Sequence, residues 1–135
     1  MNHKPLILCA DDSLSVLEGW KMLLERNGYK VLTATDGTEA FREFVSHPVD
    51  LVLLDYHMPH MNGDIAAAHM KSCKTDVPIA LFSADDLSSL NDLEAVDVLV
   101  SKSEPINRVL EIVGHLLSVR FLFRRLDPWG REDAA

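Results

Sequence analysis

The chain alternates short apolar runs with longer segments in which apolar residues recur every three or four positions. The short runs have the length and composition of buried β-strands, and they are residues 5–10, 29–34, 49–55, 77–83 and 96–101. The intervening segments have the spacing of amphipathic helices, and they are residues 13–27, 37–46, 64–73, 86–94 and 105–122. The pattern therefore predicts five strands alternating with five helices.

Alternation of this kind is typical of an α/β domain whose parallel sheet is covered by helices on both faces. Five βα units favour the strand order 2-1-3-4-5, so we predict a flavodoxin-like (βα)5 three-layer sandwich. In such a sheet, ligands bind beyond the carboxyl ends of the strands, at the switch point between the first and third strands. The residues that follow these two strands are therefore the first candidates for a functional site.

Composition excludes several classes of function. The 135 residues, of which 47% are hydrophobic and 25% charged, suit one globular domain. The net charge of -8, with 21 acidic and 13 basic residues, argues against direct binding of nucleic acid or of an anionic membrane. No apolar stretch reaches the roughly 18 residues needed to span a bilayer. Cys9 and Cys73 fall in a predicted strand and a predicted helix, which fits free thiols in a reducing cytoplasm.

Three carboxylates are predicted at the switch point. Asp11 and Asp12 follow the first strand, and Asp55 ends the third. Carboxylates brought together repel one another unless a cation offsets their charge. Oxygen ligands suit Mg²⁺, which keeps several waters and takes a further ligand from phosphate. The cluster thus predicts Mg²⁺ and a phosphoryl group, although Asp12 alone would equally serve to cap the helix at Ser13.

Two further polar residues are predicted at the same edge of the sheet. Ser83 ends the fourth strand and Lys102 follows the fifth. A hydroxyl and an ammonium there would bind the oxygens of a phosphoryl group on Asp55. Taken singly, a serine at a strand end more often starts a turn, and a lysine is more often solvated. Their conjunction with the carboxylates is what favours phosphoryl chemistry.

The stretch DYHMPHMNG, residues 55–63, is the most specific motif, and it fits the pattern D-x-x-M-P-x-M-x-G. With the acidic pair, with Ser83 followed by alanine, and with Lys102, it makes residues 4–120 resemble the receiver domain of two-component response regulators. The resemblance implies that Asp55 accepts a phosphoryl group from the phosphohistidine of a sensor histidine kinase, from a phosphotransfer protein or from a small phosphodonor. The domain would then be a signalling switch and not an enzyme acting on external substrates.

The resemblance also implies roles for individual residues and for partners. The implied ligands of Mg²⁺ are Asp11, Asp12, Asp55 and, through its backbone carbonyl, His57. Ser83 and Lys102 are the implied contacts of the phosphoryl oxygens. Phosphorylation would switch a surface that binds a downstream protein or a second copy of the chain.

Two departures from the family pattern bear on that switch. In the family, the lysine is commonly followed directly by proline, whereas Lys102 is followed by Ser103 and Glu104, with the proline at Pro105. An aromatic residue usually lies three positions before the lysine, and here that position is Leu99. These departures keep open an alternative, a receiver-like adaptor or dimerisation module that binds partners without phosphorylation.

Two other kinds of site share part of this residue pattern. An aspartate-nucleophile phosphatase of the haloacid dehalogenase type also has a strand that ends in aspartate, but it needs D-x-D, and the third position here is His57. His57 and His60 beside Asp55 would be the ligands of a transition metal, yet two loop histidines are more often ordinary loop residues.

Residues 121–135 extend beyond the expected receiver domain, which we place at residues 1–120. The large apolar residues at this end cannot all pack on one helical face, and they are Val119, Phe121, Leu122, Phe123 and Trp129. Two interpretations remain open: a last helix that continues and then frays, or a helical extension that forms a surface for a partner or for a homodimer.

Overall fold

The computed structural model describes residues 3–84 and 93–126, with side chains up to residue 123. The strands are β1 (Leu6–Ala10), β2 (Lys30–Ala34), β3 (Leu51–Asp55), β4 (Ile79–Ser83) and β5 (Val98–Ser101). The helices are α1 (Leu14–Arg26), α2 (Gly37–Ser46), α3 (Gly63–Cys73) and α4 (Ile106–Leu126). The predicted helix over 86–94 lies almost wholly outside the described residues, as does the tail from residue 127.

All neighbouring strands pair in parallel, in the order β2-β1-β3-β4-β5. Every residue of β3 and β4 is buried, which explains why their sequences are continuous apolar runs. Alternate side chains enter two cores: α2 and α3 pack on one face of the sheet, and α1 and α4 pack on the other. The predicted α/β fold with the order 2-1-3-4-5 is confirmed.

Local capping residues set the helix ends. Ser13 is the N-cap of α1 and accepts a hydrogen bond from the amide of Val16 at 3.4 Å, so the alternative in which Asp12 caps this helix is wrong. At the other end, Gly28 has a φ of 91°, a left-handed conformation that glycine adopts without strain. Asp36 accepts from the amide of Glu39 at 2.7 Å at the start of α2. Asp12 therefore remains available at the edge of the sheet.

Helix α4 extends well past the sheet that it covers. Its 21 residues correspond to about 31 Å of helix, whereas a five-residue strand spans roughly 17 Å. Residues 121–126 continue the same helix, so the predicted extension begins as helix. None of the helices within the described ranges combines the length and the apolar character needed to cross a membrane.

A buried ion pair holds α4 at the amino edge of the sheet. Arg120, only 7% exposed, places Nε 3.2 Å from Oδ1 of Asp50 and Nη1 3.0 Å from Oδ2 of Asp76. The second oxygen of Asp50 accepts the amide of Leu6 at 2.9 Å. One arginine thus joins the last helix to the beginnings of β1, β3 and β4, at the edge opposite the predicted site.

Candidate functional site at the carboxyl edge of the sheet

The three predicted carboxylates meet at the carboxyl edge of the sheet. One oxygen from each of Asp11, Asp12 and Asp55 can be chosen so that all lie within 4.8 Å of one another. Asp11 and Asp55 are 6% and 4% exposed, whereas Asp12 faces solvent. Within the described ranges this is the only group of three or more potential metal-ligating side chains, and it does not include His57 or His60.

The loop after β3 fixes the position of Asp55. The amide of Gly63 donates to the carbonyl of Tyr56 at 2.8 Å, and this bond closes the loop against the end of the strand. Met58 points into the core, and Gly37 at the start of α2 lies against the backbone of Met61. His60 takes the left-handed conformation, with a φ of 68°. The motif that identified this segment is therefore a set of packing and turn requirements around one aspartate.

Lys102 neutralises part of the carboxylate charge. Its ammonium lies 2.9 Å from Oδ1 of Asp55 and 3.6 Å from Oδ2 of Asp11. Its amide donates to the carbonyl of Ser83 at 3.0 Å, so the chain beyond β5 is tied to the end of β4. Burial alone would lower the pKa of Lys102, but the hydrogen bond and charge of Asp55, together with Asp11, raise that pKa above its ordinary value.

The surroundings of Asp11 disfavour its ionised form. Burial raises its pKa, and the charges of Asp55 and Asp12 act in the same direction. The amide of Ser13, which donates to Oδ1 at 2.9 Å, and the ammonium of Lys102 oppose the shift without cancelling it. A further cation at this cluster would stabilise the ionised form of Asp11, so the donor set fits a hard divalent ion.

Ser83 and His57 both lie near the cluster, but Ser83 is buried and His57 is exposed. Ser83 is buried at the end of β4, the strand adjacent to β3, where Asp55 pairs in register with Phe82. His57 is exposed, and its ring contacts that of Tyr56 edge-on at 4.8 Å. The roles of the Ser83 hydroxyl and of the His57 backbone carbonyl stay predictions.

The sequence interpretation missed the apolar side of the site. A cavity of about 180 Å³ lies between α1 and the ends of β1, β3 and β4, with Asp11, Asp55 and Lys102 at its polar end. Its apolar wall includes Trp20 and Phe82, whose rings meet edge to face with centroids 5.6 Å apart. Trp20 lies in the segment 13–27 that was predicted to be an amphipathic helix, but the strand that it contacts depends on tertiary packing.

A family model described as the response regulator receiver domain matches residues 7–113. The chain belongs to this family. The sheet order is therefore that of a receiver domain, which is a signalling domain, and the carboxylate cluster at its edge fits a metal site.

Curated relatives of this receiver domain include longer regulators. It is 34% identical over 129 residues to the response regulator MprA of Mycobacterium bovis, covering 96% of this chain and 54% of that protein. It is 36% identical over 86 residues to the alkaline phosphatase synthesis transcriptional regulatory protein PhoP of Bacillus subtilis, covering 64% and 35% respectively. The chain thus spans between about a third and about a half of the length of these relatives.

Solved structures share the fold. The response regulator TrrA of Thermotoga maritima, in complex with Mg(2+)-BeF, is 35% identical with a TM-score of 0.77, covering 83% of this chain and 98% of that one. A CheY-like receiver domain from Methanospirillum hungatei has a TM-score of 0.84 over 89% of this chain and 98% of that one. Its identity of 23% supports the fold alone.

The segment after β5 contains Ser103, one of the two departures from the family pattern that the sequence indicates. The Oγ atoms of Ser101 and Ser103 lie 2.7 Å apart, and the amide of Glu104 donates to the carbonyl of Ser101 at 3.1 Å. A serine-closed turn thus follows the strand where the family commonly has lysine and proline together. Leu99 is partly buried against the core between the sheet and helices α2 and α3.

Proposed function

We propose that this receiver domain accepts a phosphoryl group on Asp55, with Mg²⁺, from the phosphohistidine of a sensor histidine kinase or a phosphotransfer protein in the cytoplasm, or from a small phosphodonor. The observation that carries the proposal is the position of Lys102, whose ammonium lies 2.9 Å from Asp55 and 3.6 Å from Asp11. One cation thus touches both the acceptor and the predicted metal cluster.

The residues present fit Mg²⁺. The proposed ligands are Asp11, Asp12 and Asp55, whose oxygens come within 4.8 Å of one another, and the backbone carbonyl of His57. Burial raises the pKa of Asp11, so a cation at the cluster would favour the charged carboxylate. When bound, Mg²⁺ supplies positive charge that offsets the carboxylates and the phosphoryl oxygens. The related TrrA structure holds Mg(2+)-BeF, which supports the same chemistry here.

Asp55, Lys102 and Ser83 have different roles in the transfer of the phosphoryl group. An oxygen of Asp55 forms a bond to phosphorus while the bond from phosphorus to the donor's leaving atom breaks, and the electron pair stays with that atom. Lys102 and the hydroxyl of Ser83 donate hydrogen bonds to the phosphoryl oxygens, whose charge is spread during transfer. The product is an acyl phosphate, and the changed contacts of Lys102 and Ser83 alter a partner-binding surface.

Intact-protein mass spectrometry tests the proposal. The protein is incubated with acetyl phosphate and Mg²⁺, beside a chelator control and the Asp55→Asn variant. We expect one phosphoryl adduct that requires both Asp55 and the metal. The Glu104→Gln variant, which alters an exposed carboxylate near the same edge, should still form the adduct. An absence of adduct, repeated with a phosphorylated histidine kinase as donor, would refute the acceptor role.

A phosphorylation-independent adaptor is the second candidate. Leu99 and the serine-closed turn after Lys102 favour it, because both alter the segment through which the family commonly reads out phosphorylation. An adaptor would bind its partner equally well as the native protein and as Asp55→Asn. A switch would lose the difference in partner affinity between the phosphorylated and unphosphorylated states when Asp55 is replaced.

The partners in this proposal are proteins. The net charge of -8 disfavours a direct role for this domain in binding nucleic acid or an anionic membrane. Residues 121–135 are proposed as an extension that supports self-association, because Leu122 and Phe123 at its start are 54% and 69% exposed on α4. A homodimer through this end would cover those two side chains.

A further inference from the structure

Trp20 of α1 and Phe82 of β4 connect the acceptor site to the outside of the molecule. Their rings meet at an interplanar angle of 61° and line the cavity that has Asp55 and Lys102 at its polar end. Phe82 is almost fully buried, whereas Trp20 is half-buried and lies at the surface of the helix layer. A movement of the buried Phe82 ring would therefore displace the partly exposed Trp20 ring directly.

Phe82 is coupled to the site through the backbone on both sides. Its carbonyl accepts the amide of Tyr56, the residue after the acceptor, at 2.8 Å. The next carbonyl, that of Ser83, accepts the amide of Lys102 at 3.0 Å. A change in the position of Asp55, Ser83 or Lys102 consequently acts on the peptide groups that hold the Phe82 ring.

We propose, building on the proposed function, that phosphorylation of Asp55 is transmitted to helix α1 through the contact between Phe82 and Trp20. In the unphosphorylated state, the Lys102 ammonium bonds Asp55 beside the cavity. A phosphoryl group draws this ammonium and the Ser83 hydroxyl outward to its oxygens. These changed contacts move the backbone that carries Phe82, and the Trp20 ring, which contacts the Phe82 ring, follows it inward because burial of its exposed apolar surface is favourable.

The cavity makes this movement possible at small cost. Close-packed interiors resist the displacement of a large ring, but a space of about 180 Å³ already adjoins Trp20 and Phe82. The surface that would change lies on the first half of α1, where Leu14 and Val16 are exposed and Val16 also lines the cavity. Leu99, an aliphatic residue packed on the opposite face of the sheet, takes no part in this route.

The fluorescence of Trp20 tests the inference. The chain has two tryptophans, so Trp129→Phe leaves Trp20 as the single indole reporter. Emission and acrylamide quenching are measured with Mg²⁺ alone and with Mg²⁺ plus beryllium fluoride as the phosphoryl mimic. ¹⁹F NMR of the bound fluoride reports site occupancy independently. We expect a blue shift of the emission and a smaller quenching constant on occupancy, and neither change in the Asp55→Asn variant.

Substitutions at two phenylalanines, made in the same Trp129→Phe background, distinguish two explanations of a Trp20 response. One is transmission through the contact between Phe82 and Trp20, here called the relay, and the other is a general tightening of the fold. Phe82→Leu should bind beryllium fluoride but lose the Trp20 response, and Phe82→Met serves instead if circular dichroism shows that the leucine variant is unfolded. Phe41→Leu, on α2 and in the other core, should keep the response.

The outcomes distinguish the relay from the proposed function. Bound fluoride with an unchanged or red-shifted Trp20 emission would overturn the relay and leave phosphorylation standing. A full response in the Phe82 variants would also overturn it. A lack of bound fluoride in the Trp129→Phe protein and in the native protein would contradict the proposed function, and the relay with it.

Discussion

Gly63 packs its Cα against the main-chain carbonyl of Asp55, so closely that a Cβ atom at residue 63 would overlap that carbonyl. The same Cβ would lie 2.7 Å from Cδ1 of Leu81. Glycine is therefore required here by the close approach of two backbone segments. The last motif residue and Asp55 are in direct contact, so the loop and the proposed acceptor are positioned together.

Gly63→Ala should lower the free energy of unfolding by about 1–3 kcal/mol, because the extra methyl overpacks a core position and displaces Asp55 or Leu81. Urea denaturation followed by circular dichroism measures the change. Gly114→Ala is the matched control, since a Cβ at that position in α4 meets nothing within 4 Å. The control should be neutral or stabilising by about 0.5–1 kcal/mol. Equal midpoints for Gly63→Ala and the native protein would disprove the steric argument.

Lys102→Met should change two properties of the site in opposite directions. Loss of the ammonium leaves the three carboxylates without their cation, so Mg²⁺ should bind more tightly. Loss of a donor to the phosphoryl oxygens should slow phosphorylation by acetyl phosphate on the order of 100-fold. Calorimetric titration and the rate of adduct formation measure the two effects. Lys21→Met, at an exposed position on α1, should alter neither, and weaker Mg²⁺ binding by Lys102→Met would contradict the electrostatic account.

Arg120→Ala should be among the most destabilising single changes in α4. It leaves the Asp50 carboxylate, which is buried, without its cation, and breaking a buried pair in this way costs about 3–5 kcal/mol. Arg108→Ala is the control, because its pair with Glu111 is exposed on both sides and contributes about 0–1 kcal/mol. Urea titration of the two variants should separate them clearly. Similar losses of unfolding free energy in both variants would contradict the prediction that the buried pair contributes more than the exposed one.

Leu122→Ser combined with Phe123→Ser should weaken self-association, because the two side chains are exposed on the part of α4 that passes beyond Arg120. Substitution is preferable to deletion from residue 121, since Phe121 packs against the core of α1 and α4. Sedimentation velocity over a range of concentrations gives the association state. Ile106→Ser, an exposed apolar position at the opposite end of α4, is the control. A native chain that sediments as a monomer at every concentration would exclude the homodimer.

The sequence by itself determined the five strands, four of the five predicted helices, the sheet order and the identity of the polar residues at the carboxyl edge. These features are readable because they depend on local periodicity and on the rule that parallel strands end at one edge. Asp11, Asp12 and Asp55 were predicted to meet, and their oxygens do come together. The alternative in which Asp12 caps α1 was wrong. Residue type could not exclude it, because serine and aspartate are equally good N-cap residues.

Only the tertiary structure decided which residues from distant segments share a space. Trp20 meets Phe82 across 62 positions of sequence, and Arg120 reaches Asp50 across 70, so neither contact leaves a local signal in the chain. The unequal burial of Asp11 and Asp12, adjacent and identical in sequence, arises because one faces the sheet and the other faces water. The residue types and their spacing predicted the polar residues of the site. The apolar wall of the cavity, the buried ion pair and the burial of each carboxylate depend on packing between elements that are far apart along the chain.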